Sequence, residues 1–163
     1  MLVAAMNPCP CGYATDSEKE CFCTPFQIQR YRNKISGPLL DRIDLHLEVG
    51  RVPFQKLGQI EVGESSQTIS KRVNKARTLQ QKRFKDHKNI QVNAEMSSHA
   101  VKKYCEIDDT SQTLLKQAMQ SFHLSARTYY RILKVARTIA DIEDSKNITS
   151  AHIAEAIQYR QRD

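Results

Sequence analysis

No run of 18 apolar residues occurs anywhere in the 163-residue chain, so no helix of membrane-spanning length is expected. The apolar stretch near the start, LVAAM, is too short for a secretory h-region, and no basic segment precedes it. A cytoplasmic, reducing setting without membrane contact is the expectation. The pattern G-x4-G-K-[S/T] is absent, and with it the backbone loop that cradles nucleotide phosphates. No apolar strand ends in an Asp-Glu pair suited to magnesium, and no Ser, His, Asp order stands out. By itself the chain is expected to catalyse nothing. Internal repeats and low-complexity tracts are also missing.

Acidic residues are scarce in one place. The chain carries a net charge of +7, and residues 64–90 account for most of it. Lys71, Arg72, Lys75, Arg77, Lys82, Arg83, Lys85 and Lys88 face only Glu64 and Asp86 there, a net of +6. A solvated helix face and a surface for an anionic partner both fit such a segment.

Cysteine, by contrast, is concentrated. Four of the five fall in NPCPCGYATDSEKECFC as Cys9, Cys11, Cys21 and Cys23, a C-x-C-x9-C-x-C pattern. Four thiolates from two short knuckles suit a tetrahedral zinc, and such a site, having no open position, is structural rather than catalytic. Pro10 and Gly12 suit the turn of the first knuckle. A disulfide within a pair would close a strained small ring. Free structural or redox thiols and cross-pair disulfides remain the alternatives to zinc. The fifth cysteine, Cys105, reads as a small buried hydrophobe.

Period and punctuation place the elements. LVAAM, stopped by Asn7-Pro8, reads as a buried strand, and a strand with nothing before it to pair with suggests a piece of a larger sheet domain. Thr24 and Pro25 open a helix through TPFQIQRYRNKI. SGPLLDR makes a turn and a short helical segment. IDLHLEV alternates, with Ile43, Leu45, Leu47 and Val49 on one face, and predicts a second strand. From Glu64 onward the chain reads as helical. Residues 65–85 put Ile69, Val73, Ala76, Leu79 and Phe84 on one arc and Lys71, Lys75, Lys82 and Lys85 opposite. A loop at 86–95 precedes helices at 97–105 and 108–121. Ser125 caps a helix over 126–142 whose apolar positions cover well over half the wheel, the expected centre of a bundle. Thr149 caps a last helix through about Tyr159.

Several polar residues have a structural and a functional account. Arg42 lies between Asp41 and Asp44; a local surface ion pair is the simpler account, and an arginine held for a phosphate is the other. Arg127 sits in the first turn of its helix, where the macrodipole disfavours a cation. A solvated surface tolerates that, and a bound phosphate would compensate it. Arg131 follows one turn later on the same stripe, with Lys134 beyond. Asn7 is a turn former before proline, and it also ends a strand where α/β nucleotide sites place polar groups.

LVAAMNPCPCGY, QIQRYRNKISGPLLDRIDLHLEV, GESS, LSARTYYRILKVARTIADIE and ITSAHIAEAIQYR together resemble the C-terminal part of magnesium-chelatase-related AAA+ ATPases, the ComM/YifB branch. The resemblance runs over essentially the whole chain, although 85–122 matches in layout more than in residues. It implies a mostly α fold: a remnant of the AAA+ α/β core at 1–50 carrying the cysteine insertion at 9–23, a linker at 51–63, and a helical lid bundle at 64–163. Asn7 then corresponds to sensor 1, Arg42 to an arginine finger acting on ATP held by the neighbouring subunit, and Arg127 to sensor 2, with Arg131 beside it. ATP and Mg2+ are implied for a parent whose Walker A and Walker B segments lie upstream, and zinc for the four cysteines. The usual arginine-containing stretch before ISGPLLDR reads YRNK, leaving the roles of Arg32 and Lys34 undivided from that of Arg42.

The implied parent is a ring-forming homo-oligomer, a hexamer, acting on DNA as a helicase or branch-migration motor. The basic helix 65–85 is compatible with DNA, but a lid helix need not face the pore, so it is not assigned as the DNA site. Two other functions compete. Metal insertion into a porphyrin, as in magnesium chelatase, is disfavoured by the cysteine cluster. A non-enzymatic, zinc-stabilised nucleic-acid-binding module needs only the chain itself.

Overall fold

The computed structural model describes residues 1–52 and 63–160. Much of the expected connection at 51–63 lies outside the described residues. Those described divide into two compact units, one of 1–43 and 48–52, the other of 44–47 and 63–160.

The first unit carries two short helices. Helix α1 spans Pro25–Arg32 and starts at a reciprocal cap: Thr24 Oγ1 accepts from Gln27 N at 3.3 Å, and Gln27 Oε1 accepts from Thr24 N at 2.9 Å. Helix α2 spans Gly37–Leu40.

Both expected strands fail to form. Residues 2–6 and 43–49 are neither helix nor strand, and Val3 and Val49 are 81% and 91% exposed. A strand exists only by exchanging backbone hydrogen bonds with a neighbour. No such neighbour is present among the described residues.

The second unit is helical. Helix α3 spans Ser66–Arg83, α4 Ser98–Tyr104, α5 Asp109–Ser121, α6 Ala126–Ile142 and α7 Ser150–Gln158, with a 3-10 turn at Asn93–Glu95 before α4. A side-chain oxygen caps most of the starts. Ser65, Ser97, Asp108 and Ser125 each accept from the backbone N–H three residues on. The last helix opens differently: His152 Nδ1 accepts from Thr149 N at 2.9 Å, and its Nε2 lies 2.9 Å from Glu143.

Helix α6 is the centre of the unit. It packs against α7, α3, α4 and the 3-10 turn, while α5 packs on α7. Ile132, Leu133, Ala136, Ile139 and Ala140 are buried on it, and Leu115 of α5 and Ile153 of α7 join the same core. Cys105, just past α4, is buried in that core, and burial pushes its thiol up to about 12. Helix α3 is covered only over its second half. Ala76 and Phe84 are buried, but Ile69 and Val73 are exposed, since none of the described elements covers its first two turns.

One buried carboxylate joins four segments of this unit. Asp141 is 1% exposed and accepts from Arg83 Nη1 at 2.8 Å and Nη2 at 2.5 Å, from Asn93 Nδ2 at 2.8 Å and from Arg137 Nε at 3.1 Å. Arg137 spends its remaining donors on the Lys146 and Ser145 carbonyls. Burial lowers the pKa of Arg137 first, and the Asp141 charge opposes that. Removing the carboxylate leaves two largely buried guanidinium groups without a counter-charge. Asp141→Ala is expected to destabilise the helical unit by about 3–5 kcal/mol. Circular dichroism should record a Tm lower by roughly 15 °C or more; a change of only a few degrees would mean the network is replaceable by water.

Candidate metal centre

The cysteine site is built by a turn. Gly12 N donates to Cys9 O at 3.1 Å, closing Cys9-Pro10-Cys11-Gly12. Gly12 sits at φ +85°, a left-handed conformation open to glycine and strained for other residues. The loop between the knuckles is folded by Asp16, whose Oδ1 accepts from Glu18 N at 2.8 Å and Lys19 N at 2.9 Å. Those two N–H groups hold the Asp16 carboxyl below its usual range, with help from Arg51. Lys19 lies 5.0 Å above the Tyr13 ring. The second knuckle, Cys21-Phe22-Cys23, runs directly into the Thr24 cap of α1.

The four Sγ atoms all lie within 4.8 Å of one another. Cys9 to Cys11 is 3.3 Å, Cys11 to Cys21 3.5 Å and Cys9 to Cys21 3.7 Å. Zinc–sulfur bonds of about 2.3 Å in a tetrahedron place ligand sulfurs about 3.8 Å apart. The cluster therefore fits one such ion, and the space among four sulfurs this close does not admit a pair of bridged irons. All the cysteines are free thiols, so the cross-pair disulfides are not formed. Cys9 is fully buried and its three partners are half-buried.

The electrostatics point the same way. The Tyr13 backbone N–H holds Cys11 down at about 6, reinforced by the neighbouring thiols. The Cys23 N–H pulls on Cys21 too, but burial and the thiols of Cys11 and Cys9 outweigh it and push Cys21 up to about 12. Cys23 is raised by the same opposition. One thiolate forms readily and makes the next one costly. A divalent cation at the centre reverses that repulsion.

The cysteines are the candidate residues that the fold brings together. Asn7 is exposed at the edge of this loop; its Cγ and Nδ2 lie 3.8 Å from where a side chain on Gly12 would begin. Arg42 is exposed, with Nη1 donating to Pro38 O at 2.8 Å. Arg32 and Lys34 are exposed as well, Lys34 lying 5.6 Å over the Tyr31 ring. Arg42 belongs to the first unit and Arg127 to the second. Arg127 is exposed in the first turn of α6 and pairs with no other described residue. Arg131 is half-buried and forms an ion pair with Asp44, and Lys134 Nζ donates to Ala94 O at 2.9 Å. Two contributors escaped sequence reasoning. Asp16 had a signal, an aspartate opening a Ser-Glu-Lys turn. Asp44 was read only as a neighbour of Arg42, and its pairing with Arg131 had no signal because the two are 87 residues apart.

The description of known families matches in two consecutive pieces. Residues 1–57 match "Magnesium chelatase, subunit ChlI", and residues 63–160 match "Magnesium chelatase, subunit ChlI C-terminal". Among curated proteins the chain is 40% identical to "Competence protein ComM" of Haemophilus influenzae over 160 residues. It is 42% identical over the same length to "Uncharacterized protein YifB" of Escherichia coli and of Salmonella typhimurium. Each match covers 98% of this chain and 30% of the relative, so the chain spans about a third of the length of those proteins. With a C-terminal-domain model over 63–160 and ComM and YifB relatives along nearly its full length, the chain belongs to the magnesium chelatase subunit ChlI family, in its ComM/YifB branch.

Proposed function

We propose that this chain is the C-terminal part of a ring-forming ATPase that couples ATP hydrolysis to remodelling of DNA, with Mg2+ as the nucleotide's counter-ion and a homohexamer as the working assembly. The parts that bind ATP lie in the rest of the protein. This chain contributes Asn7 as sensor 1, Arg42 as a finger reaching a neighbouring subunit's nucleotide, and Arg127 as sensor 2, with Arg131 as a second phosphate contact once it leaves Asp44.

The observation that carries the reading is Arg127. Its guanidinium is exposed, has no partner among the described residues, and sits at the positive end of α6. A phosphate of the nucleotide supplies the missing counter-charge. Arg42 supports it from the other unit, being exposed and held at one nitrogen by the Pro38 carbonyl, with the other nitrogens left for an anion.

The four cysteines would hold one zinc as a closed structural site that ties the segment after Asn7 to the start of α1. That ion would supply rigidity and no chemical step.

A second reading, an ATPase subunit for metal insertion into a porphyrin, follows from the name of the magnesium chelatase family. The knuckle at Cys9–Cys23 counts against it. The two separate in the full-length protein. ATP turnover is expected to rise when branched DNA is added and to ignore porphyrin. Stimulation by porphyrin with indifference to DNA would reverse the assignment.

A further inference from the structure

The basic segment gains definition from the pairing of its charges. Of its eight cations, Arg72 is bonded by both nitrogens to Glu64 at 3.0 Å, Lys75 lies 2.8 Å from Asp144, and Arg83 is spent on buried Asp141. Lys71, Arg77, Lys82, Lys85 and Lys88 are exposed and form no ion pair among the described residues. The segment's own carboxylates are thereby reduced to Asp86.

The charges are also aligned. On α3, the unpaired Lys71 and Lys82 stand at i and i+11 on one line along the helix, and Lys75, at i+4, lies on the same line with its ion pair to Asp144 exposed to solvent. Ala76, Gln80 and Phe84, the buried positions, lie on the opposite side. The line runs about 16 Å at 1.5 Å per residue, a length over which one strand of duplex DNA carries about five phosphates. Its flanks are Asn74, Thr78 and Gln81, polar and exposed. No apolar or aromatic side chain interrupts it, which disfavours a lipid surface and base stacking. A row of mobile point charges with hydrogen-bonding neighbours suits phosphate, without sequence preference.

We infer that the exposed face of α3 along Lys71, Lys75 and Lys82, continued by Lys85, is a binding surface for the phosphate backbone of nucleic acid. This rests on the reading of a DNA-acting protein and gives it a place on the chain.

The test is fluorescence anisotropy of a labelled duplex with the 163-residue chain, as a function of salt. A triple variant, Lys71→Gln, Lys82→Gln and Lys85→Gln, is compared with Lys102→Gln, Lys103→Gln and Lys116→Gln, which removes the same charge from exposed positions on α4 and α5. Unchanged thermal denaturation confirms that both triples fold. Each lost phosphate contact removes about 0.9 from the slope of log K against log salt, so the α3 variant should be shallower by about 2.7. The control should keep the wild-type slope. Equal losses in both triples, or no binding of duplex by the wild-type chain at low salt, would overturn the proposal. So would poly-glutamate binding as tightly as the duplex, since that marks a surface for acidic protein. In the full-length protein, DNA-stimulated turnover that survives the α3 triple while the anisotropy test fails would remove this surface alone; loss of DNA stimulation in the unmodified protein would remove the motor reading.

Discussion

If the proposed function holds, Arg42→Ala in the full-length protein is expected to lower ATP turnover by roughly 10³-fold or more while the proposed rings still assemble. The magnitude is that of an arginine finger supplied in trans, which stabilises charge on the transferring phosphoryl group. The structure gives the side chain freedom for such work. Arg42 is exposed, and its guanidinium donates from Nη1 to the Pro38 carbonyl of α2. Arg42→Lys should recover little, because lysine keeps the charge but not the planar fork. Mixing separates catalysis in trans from a structural role. Rings assembled from Arg42→Ala subunits and from subunits with a disabled phosphate loop should regain turnover, because some interfaces then join an intact finger to an intact loop. Turnover near the wild-type value in the alanine variant alone would remove Arg42 from the mechanism. Inactive mixed rings would assign it to assembly or folding instead.

What the sequence made legible depended on how local the cause is. Helix α6 begins and ends where Ser125 and the apolar stripe place it, because a cap and a 3.6-residue period are both written within one helix. The cysteine site was legible for the same reason, with its ligands spanning 15 residues. The strands at 2–6 and 43–49 were not, since alternation gives a face but cannot supply the neighbouring strand. Helix α3 was half legible. Its period marked Ile69 and Val73 as core, yet burial depends on what lies opposite, and only Ala76 and Phe84 of that arc are buried. Least legible were the polar anchors. Asp141 is an acid in the last turn of α6 until Arg83, 58 residues earlier, and Asn93, 48 residues earlier, reach it. Asp44 likewise gains its meaning from Arg131. The unpaired lysines on α3 belong between these cases. Their spacing was visible in the sequence, but which of the eight cations were already neutralised was decided by the fold.

The largest effect is expected at the four cysteines. Protein purified under reducing conditions should carry one zinc per chain by elemental analysis. Removing it should cost the first unit most of its order, because structural zinc sites contribute an apparent ~10–16 kcal/mol near neutral pH. A unit with two short helices and few buried apolar residues has little else to offset that loss. Chelation should therefore broaden the amide resonances of residues 9–35 and leave those of α3–α7 in place. Cobalt added to the metal-free protein should give the absorption of a tetrahedral four-thiolate site. Cys9→Ser, at the fully buried ligand, should abolish both signals. Cys105→Ser should change neither, since that thiol is buried in the core of the helical unit and is not among the four clustered sulfurs. If reduced protein holds no metal, gives no cobalt spectrum and keeps its resonances under chelator, the four thiols are packed for some other purpose, and the lowered Cys11 thiol makes redox chemistry the first alternative to examine. If the metal is there, the knuckle fixes the chain on both sides of the loop. Asn7, lying against Gly12 of the first turn, is then held by the same ion that sets the start of α1, and losing the metal should cost nucleotide-dependent activity in the full protein even though the site has no open coordination position.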